Sequence, residues 1–372
     1  MLSFLLSALA FLVLLTVLIL IHEWGHYFAA LKSGVAVEEF GIGLPPRAKT
    51  LFRWEDTLFT LNWIPFGGFV RLRGENAVTT AERRAPGSFA SAPLLSRVVI
   101  LSAGVIMNFL LAFVLLTFGF SVWRWIPSYF SFAEMQHASE QGIIHLKLAV
   151  MIDGVVDDQS AAQAKVPAKS ILTAVDGKPV TLPEDVGLLQ EGKNRVTYSV
   201  LTGQDFSIER EYSLTLRDGK AGVELVAYPL ELSAPARSLL AGAGLALREV
   251  KVVTEQTVIG IGQLFKSLFT TGTIPEGIMG IVGIARLTHA SVQVGLLMYL
   301  RLVALLSLSL GILNVLPFPA LDGGRLLFVF IEFLFRRPLN RRFEATTNMI
   351  GFFVLILLIV LITFNDVLRL FV

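Results

Sequence analysis

The chain has no cysteine and little charge. None of its 372 residues is cysteine, and only 16% are Asp, Glu, Lys or Arg. Without thiols no disulfide can form, so a bound metal would need His, Asp or Glu ligands. Soluble domains carry about 25% charged residues. A chain that is 54% hydrophobic is therefore neither an ordinary soluble enzyme nor a disordered chain. The net charge of +2 is too small to predict a nucleic-acid partner.

Long apolar runs predict four membrane-spanning helices, since a span needs about 20 mostly apolar residues. The runs are 2–21, 98–123, 302–316 and 346–364. The first run has no Lys or Arg before it and no small-residue cleavage site after it. We therefore interpret it as a span, and a secretory signal peptide is the alternative.

The basic residues predict an orientation. Lys and Arg are concentrated in the 32–97 loop and in the loop that precedes the fourth span. Cytoplasmic loops carry an excess of Lys and Arg. Both loops are therefore expected in the cytoplasm, with both termini and the long 124–295 insert outside the cell.

Two segments between the spans have their own patterns. Residues 50–73 are rich in aromatics around a Glu55-Asp56 turn, which predicts a β-hairpin that dips toward the membrane and offers a free edge to an extended peptide. A small soluble hairpin is the alternative. Residues 135–232 alternate like strands, and the stretch SILTAVDGKPV resembles a PDZ domain.

These patterns predict a polytopic α-helical membrane protein with about four transmembrane helices, a membrane-associated β-hairpin and one small α+β PDZ-like extracytoplasmic domain. The expected parts are a membrane half with the hairpin and second span (1–125), the PDZ-like domain (135–232), amphipathic helical segments (236–295) and a second membrane half (296–372).

The sharpest chemical signal is the motif His22-Glu23-Trp24-Gly25-His26. Four residues on a helix turn by about 400°, so the two imidazoles share one face and suit two ligands of one zinc ion. Glu23 is placed to take a proton from water. Ionisable groups beside an apolar run are costly and by default functional.

A third ligand is needed, and the sequence offers two choices. The extended HExxHxxGxxH pattern fails because Ala29 and Lys32 occupy its last two positions. Glu38 or Glu39 follow closely in a predicted loop. Asp322 is the better candidate, because the prolines before it break the helix and the glycines after it permit a tight turn.

The combination resembles the site-2 protease family of intramembrane zinc metalloproteases. HEWGH (22–26), PFGGFVRL (65–72), AGVIMNF (103–109) and NVLPFPALDGG (314–324) carry the resemblance over nearly the whole chain. Within that family the chain resembles the bacterial regulator of sigma-E protease type, although the sequence predicts one PDZ-like unit instead of two.

The resemblance implies a zinc endopeptidase that cleaves transmembrane segments of single-span proteins, such as anti-sigma factors or remnant signal peptides, usually after trimming by another protease. It implies that Zn²⁺ is bound by His22, His26 and Asp322, and that Glu23 is the general base. The expected substrate-binding residues are Asn314, Pro317, Pro319, Trp63, Phe66, Gly67 and Gly68.

For Asn314 a helix–helix hydrogen bond is the alternative, and for Asn108 we favour that interpretation. The expected location is the bacterial inner membrane, in contact with lipid, with the zinc site toward the cytoplasm. A catalytically silent PDZ scaffold and a metal transporter are the competing functions, although transporters favour repeated halves and none is evident.

Overall fold

The computed structural model describes residues 2–75, 77, 79–203, 205–337 and 339–371. These residues form two compact units. The first unit comprises Met1–Trp123 and Arg237–Val372, and the second comprises Arg124–Ala236.

The first unit is mainly helical. In chain order its helices are α1 (Leu2–Lys32), α2 (Thr80–Arg84), α3 (Leu94–Ser121), α7 (Leu239–Thr270), α8 (Ile281–Val294), α9 (Leu296–Val315), α10 (Asp322–Phe335) and α11 (Arg341–Leu368). Of the described helices, four are long and apolar enough to cross a membrane, namely α1, α3, α9 and α11. This number matches the sequence prediction.

The first span is longer than predicted. The sequence interpretation ended it at residue 21, so that the HEWGH motif closed the helix. In the structure α1 continues to Lys32, and the motif lies inside it. Gly25 is accommodated within the helix, and the helix ends before Gly34, whose φ of +71° is the left-handed conformation that glycine adopts without steric cost.

The third span also begins earlier than predicted. It starts at Leu296 rather than at residue 302, and Arg301 lies within the helix near Glu249 of α7. The long helix α7 lies in the segment 236–295 that was predicted to be amphipathic and helical. It packs against α3 and α9, where Val250 and Val253 join the cluster around Leu308.

The β-hairpin is larger than predicted. Its strands are β1 (Val37–Trp54) and β2 (Thr57–Leu72), so the predicted turn at residues 55–56 is right but the first strand starts well before residue 50. Residues 39–42 pair with 58–61 on one side and with 68–71 on the other. Tyr27 of α1 contacts Phe40 and Phe59, with ring centroids 5.7 and 5.8 Å apart, which fixes the hairpin to the first span.

The second unit is an antiparallel sheet with short helices. Its elements are α4 (Phe132–Glu140), β3 (His145–Val155), α5 (Ser160–Gln163), β4 (Ser170–Val175), β5 (Lys178–Pro179), α6 (Pro183–Gln190), β6 (Arg195–Thr202), β7 (Ile208–Thr215) and β8 (Val223–Ser233). The strand order is β7-β6-β4-β3-β8, with β5 paired to β4. The sequence analysis did not predict α4 or β8.

Candidate metal centre

Helix α1 holds the HEWGH motif in regular helical geometry. His22 and His26 are one turn apart and are only 7% and 9% exposed. Their Nε2 atoms lie 3.1 Å apart, so both rings point to one place. Gly25 permits this packing, because a Cβ there would lie 2.6 Å from the carbonyl carbon of Ala103 in α3.

Asp322 reaches the same place from the other half of the chain. Helix α9 ends at Val315, the prolines follow, and α10 begins at Asp322. Its Oδ2 atom lies 2.9 Å from His22 Nε2 and 3.3 Å from His26 Nε2. Among the described residues, these three side chains form a group of possible metal ligands, and their ligand atoms all lie within 4.8 Å of one another.

Contacts on the far side of each ring bear on its tautomer, that is, on which ring nitrogen carries the proton. His26 Nδ1 lies 2.8 Å from the carbonyl oxygen of Ile100 and therefore donates to it, which leaves Nε2 with a lone pair. His22 Nδ1 lies 3.2 Å from the side-chain amide of Asn108. The Oδ1 atom of that buried amide has no partner, and a half-turn of the amide lets Oδ1 accept the ring N–H.

The resulting donor set fits a zinc ion. With these tautomers, two imidazole lone pairs and one carboxylate oxygen face each other, and a cation would satisfy this arrangement. Zinc–nitrogen bonds of about 2.0–2.1 Å place tetrahedral ligand atoms about 3.3 Å apart. The observed 2.9–3.3 Å separations are close to that spacing. Gly104 leaves the space open, because a Cβ there would lie 2.8 Å from His22 Nε2 and still closer to His26 Nε2.

Glu23 lies beside the metal ligands and against the hairpin. Its Oε2 atom accepts a hydrogen bond from the Val70 backbone N–H at 3.0 Å. A Cβ on Gly68 would lie 3.8 Å from Glu23 Cγ, so the 68–72 segment runs directly past this carboxylate. A cavity of about 220 Å³ opens here, lined by Ile19, His22, Glu23, Leu310, Asn314, Ala320, Leu321 and Asp322.

The predicted substrate-binding residues occupy different places. Asn314 lines the cavity. Gly67 approaches Leu44 and Ile19, and Gly68 approaches Leu20. Trp63 and Phe66 lie on the hairpin and are 71% and 43% exposed, whereas Pro317 is exposed and Pro319 packs on α11. Of these seven predicted residues, only Asn314 is among those that line the cavity.

The alternative third ligands are engaged elsewhere. Both acids lie in strand β1 instead of the expected loop. Glu38 pairs with Arg73 at 3.6 Å. Glu39 is buried, pairs with Arg47 at 2.8 Å and Arg71 at 3.0 Å, and accepts a hydrogen bond from Thr60.

Sequence reasoning missed three contributions to the site. Asn108 makes a helix–helix hydrogen bond, as favoured, but its partner is the candidate ligand His22. The backbone N–H of Val70 donates a hydrogen bond to Glu23, and no pattern of side chains predicts such a backbone contact. Gly104 leaves room for the ligands. The lone Asn108 in an apolar span was the sequence signal for its contact, since polar groups buried in membranes are usually functional.

Comparisons with known proteins find a matching family and similar relatives. The family described as "Peptidase family M50" matches residues 10–358. The chain is similar to the zinc metalloprotease RasP of Bacillus licheniformis, with 25% identity over 98% of this chain and 99% of that protein. It is also similar to the zinc metalloprotease RasP of Shouchella clausii, with 27% identity over 98% and 99% of the two chains.

Proposed function

Because the chain belongs to peptidase family M50 and is a zinc metalloprotease, we propose that it cleaves single-span membrane proteins within their transmembrane segments. The observation that carries this proposal is the convergence of His22, His26 and Asp322 on the 220 Å³ cavity beside Glu23. The cluster is built on a helix long and apolar enough to span a bilayer. A protease built this way meets its substrates inside the membrane.

The proposed roles follow from the geometry. His22, His26 and Asp322 would hold the zinc ion, which when bound supplies Lewis acidity to water and to a peptide carbonyl. Glu23 is the general base. One of its oxygens is held by the Val70 N–H, which leaves the other to accept a proton from water in the cavity.

A transmembrane substrate must lose its helical hydrogen bonds before it is cut, because a helical turn shields its own peptide bonds. We propose that the 66–68 segment, next to Glu23, takes the unwound substrate as an added strand. Gly67 and Gly68 have no side chains to obstruct it, and Trp63 and Phe66 contact lipid or substrate from the exposed hairpin surface. Asn314 offers its amide to a substrate peptide group.

The two prolines have a structural part in this proposal. Pro317 and Pro319 end α9 and shape the loop that presents Asp322 and, through it, the cavity wall. Their effect on the substrate is indirect, because neither lines the cavity.

The proposed setting is the bacterial inner membrane, with no nucleic-acid partner. The basic 32–97 and 336–344 loops would face the cytoplasm, the termini and the 135–232 domain would lie outside, and the zinc site would be nearer the cytoplasmic side. Substrates would arrive already trimmed by another protease.

We further propose that the 135–232 domain is PDZ-like and acts mainly as a size filter. A body of that size is roughly 25–30 Å across, enough to obstruct a substrate with a bulky folded ectodomain. Peptide recruitment is the alternative, because β8 is an edge strand with α6 packed beside it.

The test compares Glu23→Gln and His22→Ala with the unaltered full chain in detergent. Each protein is assayed for bound zinc and for cleavage of a trimmed single-span reporter. Glu23→Gln should keep one zinc equivalent and lose cleavage, whereas His22→Ala should lose both. Cleavage by Glu23→Gln at the unaltered rate would refute the assignment of the base.

A further inference from the structure

The loop that presents Asp322 contains an unusual backbone conformation. Ala320 has a φ of +73°, in the left-handed region that an alanine adopts only at a steric cost. The two residues after it are Leu321 and Asp322, so a change in this conformation would move the candidate zinc ligand directly. Some contact must hold Ala320 in place.

The fourth span supplies such a contact. The Oδ1 atom of Asn348 in α11 accepts a hydrogen bond from the Ala320 backbone N–H at 3.1 Å. One turn further along the same face is Gly351, where a Cβ would lie 2.5 Å from Pro319 Cβ and 2.6 Å from its carbonyl oxygen. The loop therefore rests on α11 at two consecutive residues, one through a hydrogen bond and one through close packing.

Much of α11 is exposed in the described part of the chain. In its most apolar stretch 11% of the residues are buried, against 33% in the corresponding stretches of α3 and α9. At the opposite end Asp366 accepts hydrogen bonds from the N–H groups of Gly280 and Gly283 at 2.8 Å each, which attaches α11 to α8. Asn348 and Asp366 thus anchor opposite ends of one lipid-facing helix, about 27 Å apart along its axis.

We propose that Asn348 is a positioning residue for the zinc site, which holds Ala320 in its left-handed conformation and so aims Asp322 at His22 and His26. This inference rests on the proposed function, because it presumes that Asp322 is a zinc ligand. It assigns the fourth span a role in metal binding that its apolar sequence does not suggest. Polar side chains within a span are costly and are commonly functional.

The first measurement is zinc affinity of the full chain in detergent, by competition with a chelator, with Co²⁺ absorption as a second readout of ligand geometry. Asn348→Ala should bind zinc about tenfold more weakly, at the lower end for groups that orient metal ligands. Asn348→Asp keeps an acceptor oxygen and should bind within about threefold of the unaltered chain.

Two further variants separate positioning from general destabilisation. Asp366→Ala loosens the far end of α11 and should leave the zinc affinity unchanged. Glycine adopts positive φ without cost, so in an Ala320→Gly background the effect of Asn348→Ala should fall below threefold. A structural role in seating the helix predicts no such rescue.

The outcomes also distinguish this inference from the proposed function. If the unaltered chain binds no zinc, or if His22→Ala binds it equally well, the proposed function fails. If zinc binding depends on His22 but Asn348→Ala leaves it unaltered, or Asp366→Ala weakens it equally, or Ala320→Gly brings no rescue, the inference alone is overturned.

Discussion

Gly104 offers a sharp test of how closely helices α1 and α3 must approach at the metal centre. It lies in α3, opposite the two imidazoles of α1. A Cβ at this position would lie 2.8 Å from His22 Nε2 and Cε1, and closer still to His26 Nε2. Carbon and nitrogen atoms without a hydrogen bond prefer about 3.5 Å. The Gly104→Ala change therefore requires a displacement of at least about 0.7 Å.

That displacement exceeds what a zinc site tolerates. Zinc–ligand distances in good sites vary by about 0.2 Å, and both imidazoles are constrained on their far sides, by Ile100 and by Asn108. We expect Gly104→Ala to lower zinc affinity at least tenfold and to reduce kcat/KM in parallel. The change should also lower the free energy of unfolding by about 1–3 kcal/mol, as in other overpacked protein interiors.

The assay measures bound zinc and cleavage of a single-span reporter by the purified chain. Gly262→Ala is the matched control, because it also adds a methyl group within a long helix but meets nothing within 4 Å. Gly262→Ala should leave both quantities unchanged. If Gly104→Ala bound one zinc equivalent with normal affinity and cleaved the reporter normally, the close approach of α3 to the ligands would not be needed for zinc binding or activity.

Three further predictions concern the contact between Asn108 and the His22 ring, the membrane topology and the 135–232 domain. Asn108→Leu removes the acceptor for His22 Nδ1 and should weaken zinc binding about 10–100-fold. An unchanged zinc affinity would mean that a group other than Asn108 sets the tautomer of His22. In this cysteine-free chain, an impermeant thiol reagent should label Lys178→Cys in intact cells and leave Arg84→Cys unlabelled, and the reverse pattern would invert the proposed orientation. Deleting 135–232 with a short linker should release cleavage of untrimmed substrates, whereas lower cleavage of trimmed substrates would favour recruitment.

Much of the membrane unit could be predicted because its signals are local. The apolar length of the four spans and the spacing of His22 and His26 follow from helix geometry, and the prolines before Asp322 mark a helix end. The ends of the helices were less predictable. The predicted third span began at residue 302, yet Arg301 lies within α9, near a buried Glu249 contributed by another helix.

What the sequence could not indicate depends on partners distant in the chain. Glu39 is an acid beside the HEWGH motif and was a reasonable alternative ligand until the structure placed Arg47, Arg71 and Thr60 around it. Strand β8 follows a turn and lacks a clean alternation, and pairing with β3 defines it. The contact between Asn348 and Ala320 joins side chain to backbone, a pairing with no sequence pattern.

The separation of the site's components along the chain has a consequence for biosynthesis. His22 and Asp322 lie 300 residues apart. At about 5–20 residues per second, a ribosome needs roughly 15–60 s to pass from one to the other. During that interval α1 and the hairpin have been made, with Glu23 among them, but the carboxylate of Asp322 has not. With the proposed ligand set, a half-made chain could not attack its neighbours, and proteolytic competence would arise only once synthesis had nearly finished.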